Sequence, residues 1–183
     1  MAIITEHDRK KEFEHIKEFL DALDVAADIA ETGADQGQTC LMISLPTEVE
    51  NWKEEYQTDL HLATGYLFQL SDDEEQLTKY LMLYMPVQVD LRDVDELELL
   101  RLVNELNRKM RIGTCFYGTE ENTGRVLLQV KWLIGGRVDV FLDEGVVCEA
   151  VFELGALYDQ LKEQLAGLEG NRHERDRTDT GME

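Results

Sequence analysis

Hydrophobic and polar positions follow two different periods along this chain, and the changes of period mark its elements. Thr5 followed by Asp8 has the form of a capping box, with Thr5 as N-cap of a first helix. At about 100° per residue, Phe13, Ile16, Phe19, Leu20 and Leu23 fall within roughly 120° of arc. Lys10, Glu14, Lys17 and Asp21 occupy the back, so this is a one-sided surface helix that covers a sheet. The period then drops to two. Short strands are predicted over 24–30 and 39–45, with a turn at Gly33 to Gly37 between them. Residues 46–59 are ambiguous between a loop and a short helix. In the next strand Leu60, Leu62, Tyr66, Phe68 and Leu70 alternate with His61, Ala63, Gly65 and Gln69. An acidic turn, SDDEEQLT, leads to a partner strand over 79–89, KYLMLYMPVQV.

That partner strand is apolar on both faces. Leu81, Leu83, Met85, Val87 and Val89 form one; Tyr80, Met82 and Tyr84 form the other. A half-buried antiparallel strand normally has one polar face, so either something covers the second face or it meets another molecule. Pro86 removes a backbone donor and places the end of the strand at an edge or bulge.

A second helix is capped by Asp90 or Asp93 and runs to about Met110. Its polar strip is narrow: Glu98, Arg101, Glu105, Arg108 and Lys109. Leu97, Leu99, Leu100, Leu102, Val103, Leu106 and Met110 span roughly 220°, about twice the stripe of a one-sided helix. Burial on two sides is therefore expected. Asn104 and Asn107 fall inside the apolar arc. Buried amides must be hydrogen-bonded, and at an interface a polar pair can fix register. The two asparagines read as packing fixtures.

Gly113 ends this region. TCFYGT and GRVLLQVKWLI form a hairpin through EENTG, with Val126, Leu128, Val130, Trp132 and Ile134 on one face and Arg125, Gln129 and Lys131 on the other. Gly135 and Gly136 read as a turn, and RVDVFLDEG as a loop or short added strand. The last helix is predicted from about Glu144 to Ala166. Val146, Val147, Ala150, Val151, Leu154, Leu157, Tyr158, Leu161 and Leu165 line roughly 140° of it, with Phe152 on the opposite side. The final stretch, EGNRHERDRTDTGME, has no periodicity and reads as a disordered tail over 169–183, after a single domain over 1–168. The order helix, strands, helix, hairpin, helix makes an α+β fold: an antiparallel sheet with three helices.

Charge narrows the function. Eighteen Lys and Arg face 39 Asp and Glu across 183 residues, a formal net charge of −21. Such a field repels nucleic acid and anionic membrane surfaces and attracts a basic protein partner. No apolar run approaches the roughly 20 residues of a membrane span, and the first residues lack the apolar stretch of a signal peptide. A cytoplasmic location is expected. Cys40, Cys115 and Cys148 are odd in number, lack CxxC spacing and sit in apolar contexts, as buried free cysteines do. His7, His15, His61 and His173 are scattered, and no zinc, nucleophile-elbow or phosphate-loop motif occurs. No cofactor, metal or catalytic residue is assigned. The SDDEE turn lacks the spacing of a calcium loop, and a metal-dependent carboxylate hydrolase stands as the lesser alternative.

The stretch LMLYMPVQVD…LELLRLVNELNRKMRIGTCFYGTEENTGRVLLQVKW…LDEGVVCEAVFELGALYDQL resembles the YbjN-like family of bacterial proteins, itself similar in fold to the type III secretion chaperones. Its most specific part is the LVNELNRK helix running into IGTCFY and then a GRV strand. The resemblance implies a small acidic α+β domain without catalytic residues, usually a homodimer. In the secretion chaperones the second helix and neighbouring strands build the dimer, and other apolar surface holds an extended client segment.

A non-enzymatic interaction protein is the reading that follows: a homodimer that binds a protein or peptide segment through apolar surface. A regulatory or sensory dimer without a client is the alternative. Tyr80, Met82, Tyr84 and Phe152 are contact candidates because none has an assigned core face, the alternative for each being burial under the 46–59 segment laid on one sheet face; Leu100, Val103, Asn104 and Asn107 are candidates on the second helix. Val103→Asp is expected to give monomeric or unfolded protein, which light scattering and circular dichroism distinguish.

Overall fold

Thr5 begins the first helix as its spacing predicts. Its hydroxyl accepts from the Asp8 N–H at 3.2 Å, and the Asp8 carboxylate accepts from the Thr5 N–H at 2.9 Å. The Thr5 bonds hold the Asp8 carboxyl below the usual carboxylate range. Helix α1 (Glu6–Asp21) buries Phe13, Ile16 and Leu20. Asp24 then takes a left-handed turn, φ 60°, and leaves Leu23 outside the helix and exposed. The structure, a computed structural model, describes residues 4–32, 38–46, 62–70, 77–87, 95–110, 113–119 and 126–179. The expected turns at 33–37, 71–76 and 120–124, the loop or helix after Pro46, and Asp90 and Asp93 lie outside them.

Strands β1 (Ala27–Thr32), β2 (Gln38–Ser44), β3 (Leu62–Phe68), β4 (Thr78–Val87), β5 (Thr114–Thr119) and β6 (Val126–Arg137) form one sheet in the order β1-β2-β3-β4-β6-β5. Every neighbouring pair is antiparallel. Helix α2 (Glu96–Lys109) precedes β5, and α3 (Glu144–Asp179) follows β6. Helix α1 packs over β1 and β2, α2 over β5, and α3 over β4 and β6. The same pleat positions are buried in strand after strand: Leu41, Ala63, Leu67, Leu81, Leu83, Met85, Leu128 and Val130 join Phe13, Leu106 and Leu154 in one core. All three helices therefore share one face of the sheet. This is the α+β architecture that the alternation implies.

Several local expectations are corrected. In β3 the helix-covered side is Ala63, Gly65 and Leu67, whereas Leu62, Tyr66 and Phe68 point the other way. Space decides this: a Cβ on Gly65 would lie 3.3–3.5 Å from Leu81, Leu41 and Leu83 side chains. Pro86 belongs to an interior strand of the sheet, but the last β3–β4 pair is Thr64 with Tyr84, so its missing donor lies past that ladder. The cap of α2 is Asp95, whose carboxylate accepts from the N–H groups of Leu97 (2.9 Å) and Glu98 (3.1 Å). Gly135 and Gly136 are paired strand residues opposite Tyr80 and Lys79 rather than a turn. A Cβ on Gly136 would meet Leu142 at 2.5 Å. Helix α3 continues to Asp179, into the stretch read as a disordered tail. An established helix gains one hydrogen bond per added residue and needs no apolar stripe to extend.

Helix α2 is buried on one side. Leu99, Val103 and Leu106 face the core, whereas Leu97 and Leu100 are 54% and 39% exposed. A single sheet face covers only one stripe of a helix. Val103 points inward, so the outcome that fits Val103→Asp is unfolding through an unpaired buried carboxylate.

Polar side chains of α1 tie it to four strands in turn. Lys17 donates to the Ala27 carbonyl of β1. Glu6 accepts from the Thr39 N–H of β2 at 3.2 Å, and Arg9 donates to the Leu67 carbonyl of β3 at 3.1 Å. Glu12 pairs with Lys79 of β4 at 2.5 Å, both buried. The segment after β6 also bonds that pair: Lys79 donates to the Val140 carbonyl at 2.5 Å, and Glu12 accepts from the Leu142 N–H at 2.7 Å. Breaking a buried pair strands a charge, at a cost of about 3–5 kcal/mol. Lys79→Met is expected to lower the urea midpoint accordingly, with Glu12→Leu added to Lys79→Met recovering part of the loss.

Candidate functional site

With the helices on one face, the other face of the sheet has none among the described residues. Its pleat positions are set by the register. One row runs Met42, Thr64, Tyr84, Lys131 and Thr114 across five strands. The next runs Tyr66, Met82 and Leu133, and a third Phe68, Tyr80 and Gly135. The rings of Phe68 and Tyr80 stack with centroids 5.9 Å apart, and Gly135 leaves room for Tyr80 to lie across β6. Tyr66, Phe68, Tyr80, Met82 and Tyr84 are half-buried, and Leu133 is 47% exposed. Among the described residues of β2, β3 and β4, no charged side chain points to this face. Burial pushes the Tyr66 and Tyr84 hydroxyls above the usual phenol range, which keeps both neutral. Lys131, at its β5 side, lies over the Phe116 ring at 4.8 Å. A molecule of net charge −21 thus has an uncharged aromatic patch on β3 and β4, with Asp28, Lys131 and Arg137 around it in register.

The structure gathers three of the candidates, Tyr80, Met82 and Tyr84, on this face. It does not bring the others there. Phe152 is 46% exposed on α3, in the helix layer on the far side of the sheet. Leu100 and Asn104 are exposed on α2, and Val103 is core. Asn107 is exposed as a residue, but its amide is fully engaged with β5: Nδ2 donates to the Cys115 carbonyl at 2.9 Å, and Oδ1 accepts from the Cys115 N–H at 2.7 Å. The burial expected for the two asparagines is not found, because one sheet face covers only one stripe of α2. Asn104 lines a surface recess with Arg101, Glu105, Arg108 and Lys109. Sequence reasoning missed Met42, Tyr66, Phe68 and Leu133 as members of the face. Pairing the two-faced strand β4 with its neighbours would have found them, since opposed residues share a side.

Among the described residues, clefts open in the helix layer. One, of about 370 Å³, sits between α1 and the segment after β6, with Glu12 and Lys79 in its lining. Another, of about 390 Å³, runs between α2 and α3 over Trp132, Leu106 and Met110. Among the described residues no group of three or more His, Cys, Asp or Glu is placed to hold a metal ion. None of the described helices is long and apolar enough to cross a membrane.

Residues 57–151, just over half of the chain, match the family model of YbjN, described as "putative bacterial sensory transduction regulator". The chain belongs to the YbjN family. The YbjN match spans β3, β4, α2, β5 and β6, which supply most of the helix-free face, and reaches into α3. No curated protein and no solved structure matches the chain. The expected likeness to type III secretion chaperones therefore has no solved structure behind it.

Cys40 and Cys115 are buried, and burial pushes both thiols up, Cys115 to about 11 from an ordinary 9.0. The folded protein keeps Cys115 protonated while the unfolded chain ionises, so its contribution is complete below pH 9 and disappears as pH rises toward 11. The loss amounts to ~2–3 kcal/mol across that window. The difference in urea stability between wild type and Cys115→Val is expected to shrink by that amount between pH 9 and 11.

Proposed function

We propose that this YbjN-family chain is a non-catalytic regulator that works by protein contact through the helix-free face of its sheet. The observation that carries this reading is the row of Tyr66, Met82 and Leu133 beside Phe68, Tyr80 and Tyr84, uncharged and with no covering helix among the described residues. Apolar patches rimmed by polar residues are where soluble proteins meet partners. Aromatic and Met side chains are also enriched at interface cores. The family description as a regulator agrees with this use. Cytoplasmic residence fits a signalling role of this kind.

Homodimerisation through the face is the form we favour. Two copies of a −21 molecule repel at long range, and an uncharged strip is where they can approach at least cost. A client segment laid across the same rows is the second form, and the two would compete for the surface. Met82→Asp places a charge at the centre of the face without touching the helix-covered core. Light scattering is expected to show a wild-type dimer and a folded Met82→Asp monomer with an unchanged circular dichroism spectrum. A wild type that stays monomeric at all concentrations would reject the dimer, and a Met82→Asp protein that remains a dimer would reject this face.

A further inference from the structure

Strand β5 is an edge of the sheet, and its backbone bonds show how that edge is closed. Cys115 lies opposite Val130 of β6, yet both its N–H and its C=O bond to Asn107. In an antiparallel ladder such outward-pointing groups belong to the non-hydrogen-bonded pairs, and they are what a further strand would engage. The Asn107 amide presents one acceptor and one donor in the arrangement of a strand residue. It replaces one residue of a missing neighbour. By alternation the N–H and C=O of Tyr117 point to the same side, and the Tyr117 hydroxyl bonds Glu96 at the start of α2 at 3.0 Å. Helix α2 is thus fastened along the edge at two points, Glu96 and Asn107.

The two edges of the sheet differ. Strand β1, ADIAET, carries Asp28 and Glu31, charges that discourage strand addition. Strand β5, TCFYGT, has no charge and no proline. Without its amide plug it would be an unguarded edge. We infer that the β5 edge is a latent pairing surface for β5 of a second copy, and that Asn107 is the gate that holds it closed. The occupant follows from charge and symmetry. The strand carries no charge, so two copies can pair there without setting like charges in opposition, and its register is self-complementary about Phe116. Antiparallel pairing centred on Phe116 puts Cys115 opposite Tyr117 of the second copy, so the groups now held by Asn107 are satisfied by backbone. The two Phe116 rings then meet on the helix-free side, as cross-strand aromatics do. The sheet becomes continuous through both copies. This is separate from contact through the sheet face: one uses backbone at an edge, the other side chains on a surface.

The test uses the full chain. Asn107→Ala is expected to double the mass seen by sedimentation if wild type is a monomer, and at least to double it if wild type is a dimer with two β5 edges, in a concentration-dependent step. Hydrogen exchange at the Cys115 amide is expected to speed up at least tenfold at low concentration and to slow again on association. Adding Phe116→Lys to Asn107→Ala puts like charges in opposition and is expected to restore the wild-type mass. If Asn107→Ala folds poorly, Asn107→Asp serves instead: its carboxylate accepts from Cys115 but donates only when protonated. It should associate at pH 7.5 and dissociate near pH 4. Folded variants that keep the wild-type mass and Cys115 exchange would overturn the gate. Association of Asn107→Ala that Phe116→Lys leaves intact would overturn the β5 pairing. Neither outcome depends on Met82→Asp, so failure of the face and failure of the edge are read separately.

Discussion

The Glu12–Lys79 pair decides how the helix layer sits on the sheet. A carboxylate and an ammonium are both out of water, and each is satisfied by the other plus one backbone group of the segment after β6. That arrangement admits one relative placement of three pieces of chain far apart in sequence: α1, β4 and residues 138–142. Apolar packing alone tolerates small slips of a helix along a sheet, but a buried ion pair that is also bonded to backbone does not. Glu6, Arg9 and Lys17 repeat the logic at the margin, each reaching a different strand from the same helix. With α1 fixed, Leu142 is held over Gly136 and α3 is delivered to its place over β4 and β6.

Periodicity was enough to reach much of this. The Thr5–Asp8 box, the alternation of Leu128, Val130, Trp132 and Ile134, and the stripe from Val147 to Leu161 are local signals, and each element stands where its signal lies. What periodicity lacks is the identity of the inner side. In β3 the larger residues face away from the helices because Leu41, Leu81 and Leu83 already fill the space over Gly65. In α2 the wide apolar arc exceeds what one sheet face can cover, so Leu97 and Leu100 are left outside. Gly135 and Gly136 look like a turn until Tyr80 and Leu142 are seen to occupy the volume their side chains would need. Lys79 and Glu12 resemble ordinary surface charges because their pairing spans 67 positions of chain.

The candidate site was half legible for the same reason. Tyr80, Met82 and Tyr84 were found because one strand showed two apolar faces, an anomaly within a single segment. Their neighbours Tyr66, Phe68 and Leu133 needed the register between strands. Asn107 was recognisable as a polar fixture inside an apolar helix, but its partner, the backbone of Cys115, carries no sequence signature.

Confining every helix to one side of a pleated sheet separates two kinds of freedom. Adjacent residues of β4 belong to different problems: Leu81 and Leu83 answer to the core, while Tyr80, Met82 and Tyr84 answer to their neighbours on the opposite face, Phe68 and Gly135 among them. On the function proposed above, a chain built this way can change what it recognises one alternate residue at a time while Leu81 and Leu83 keep the core. Divergence of partners within such a family would then be written in every second position of its central strands, and would be invisible to any comparison that weighs all positions alike.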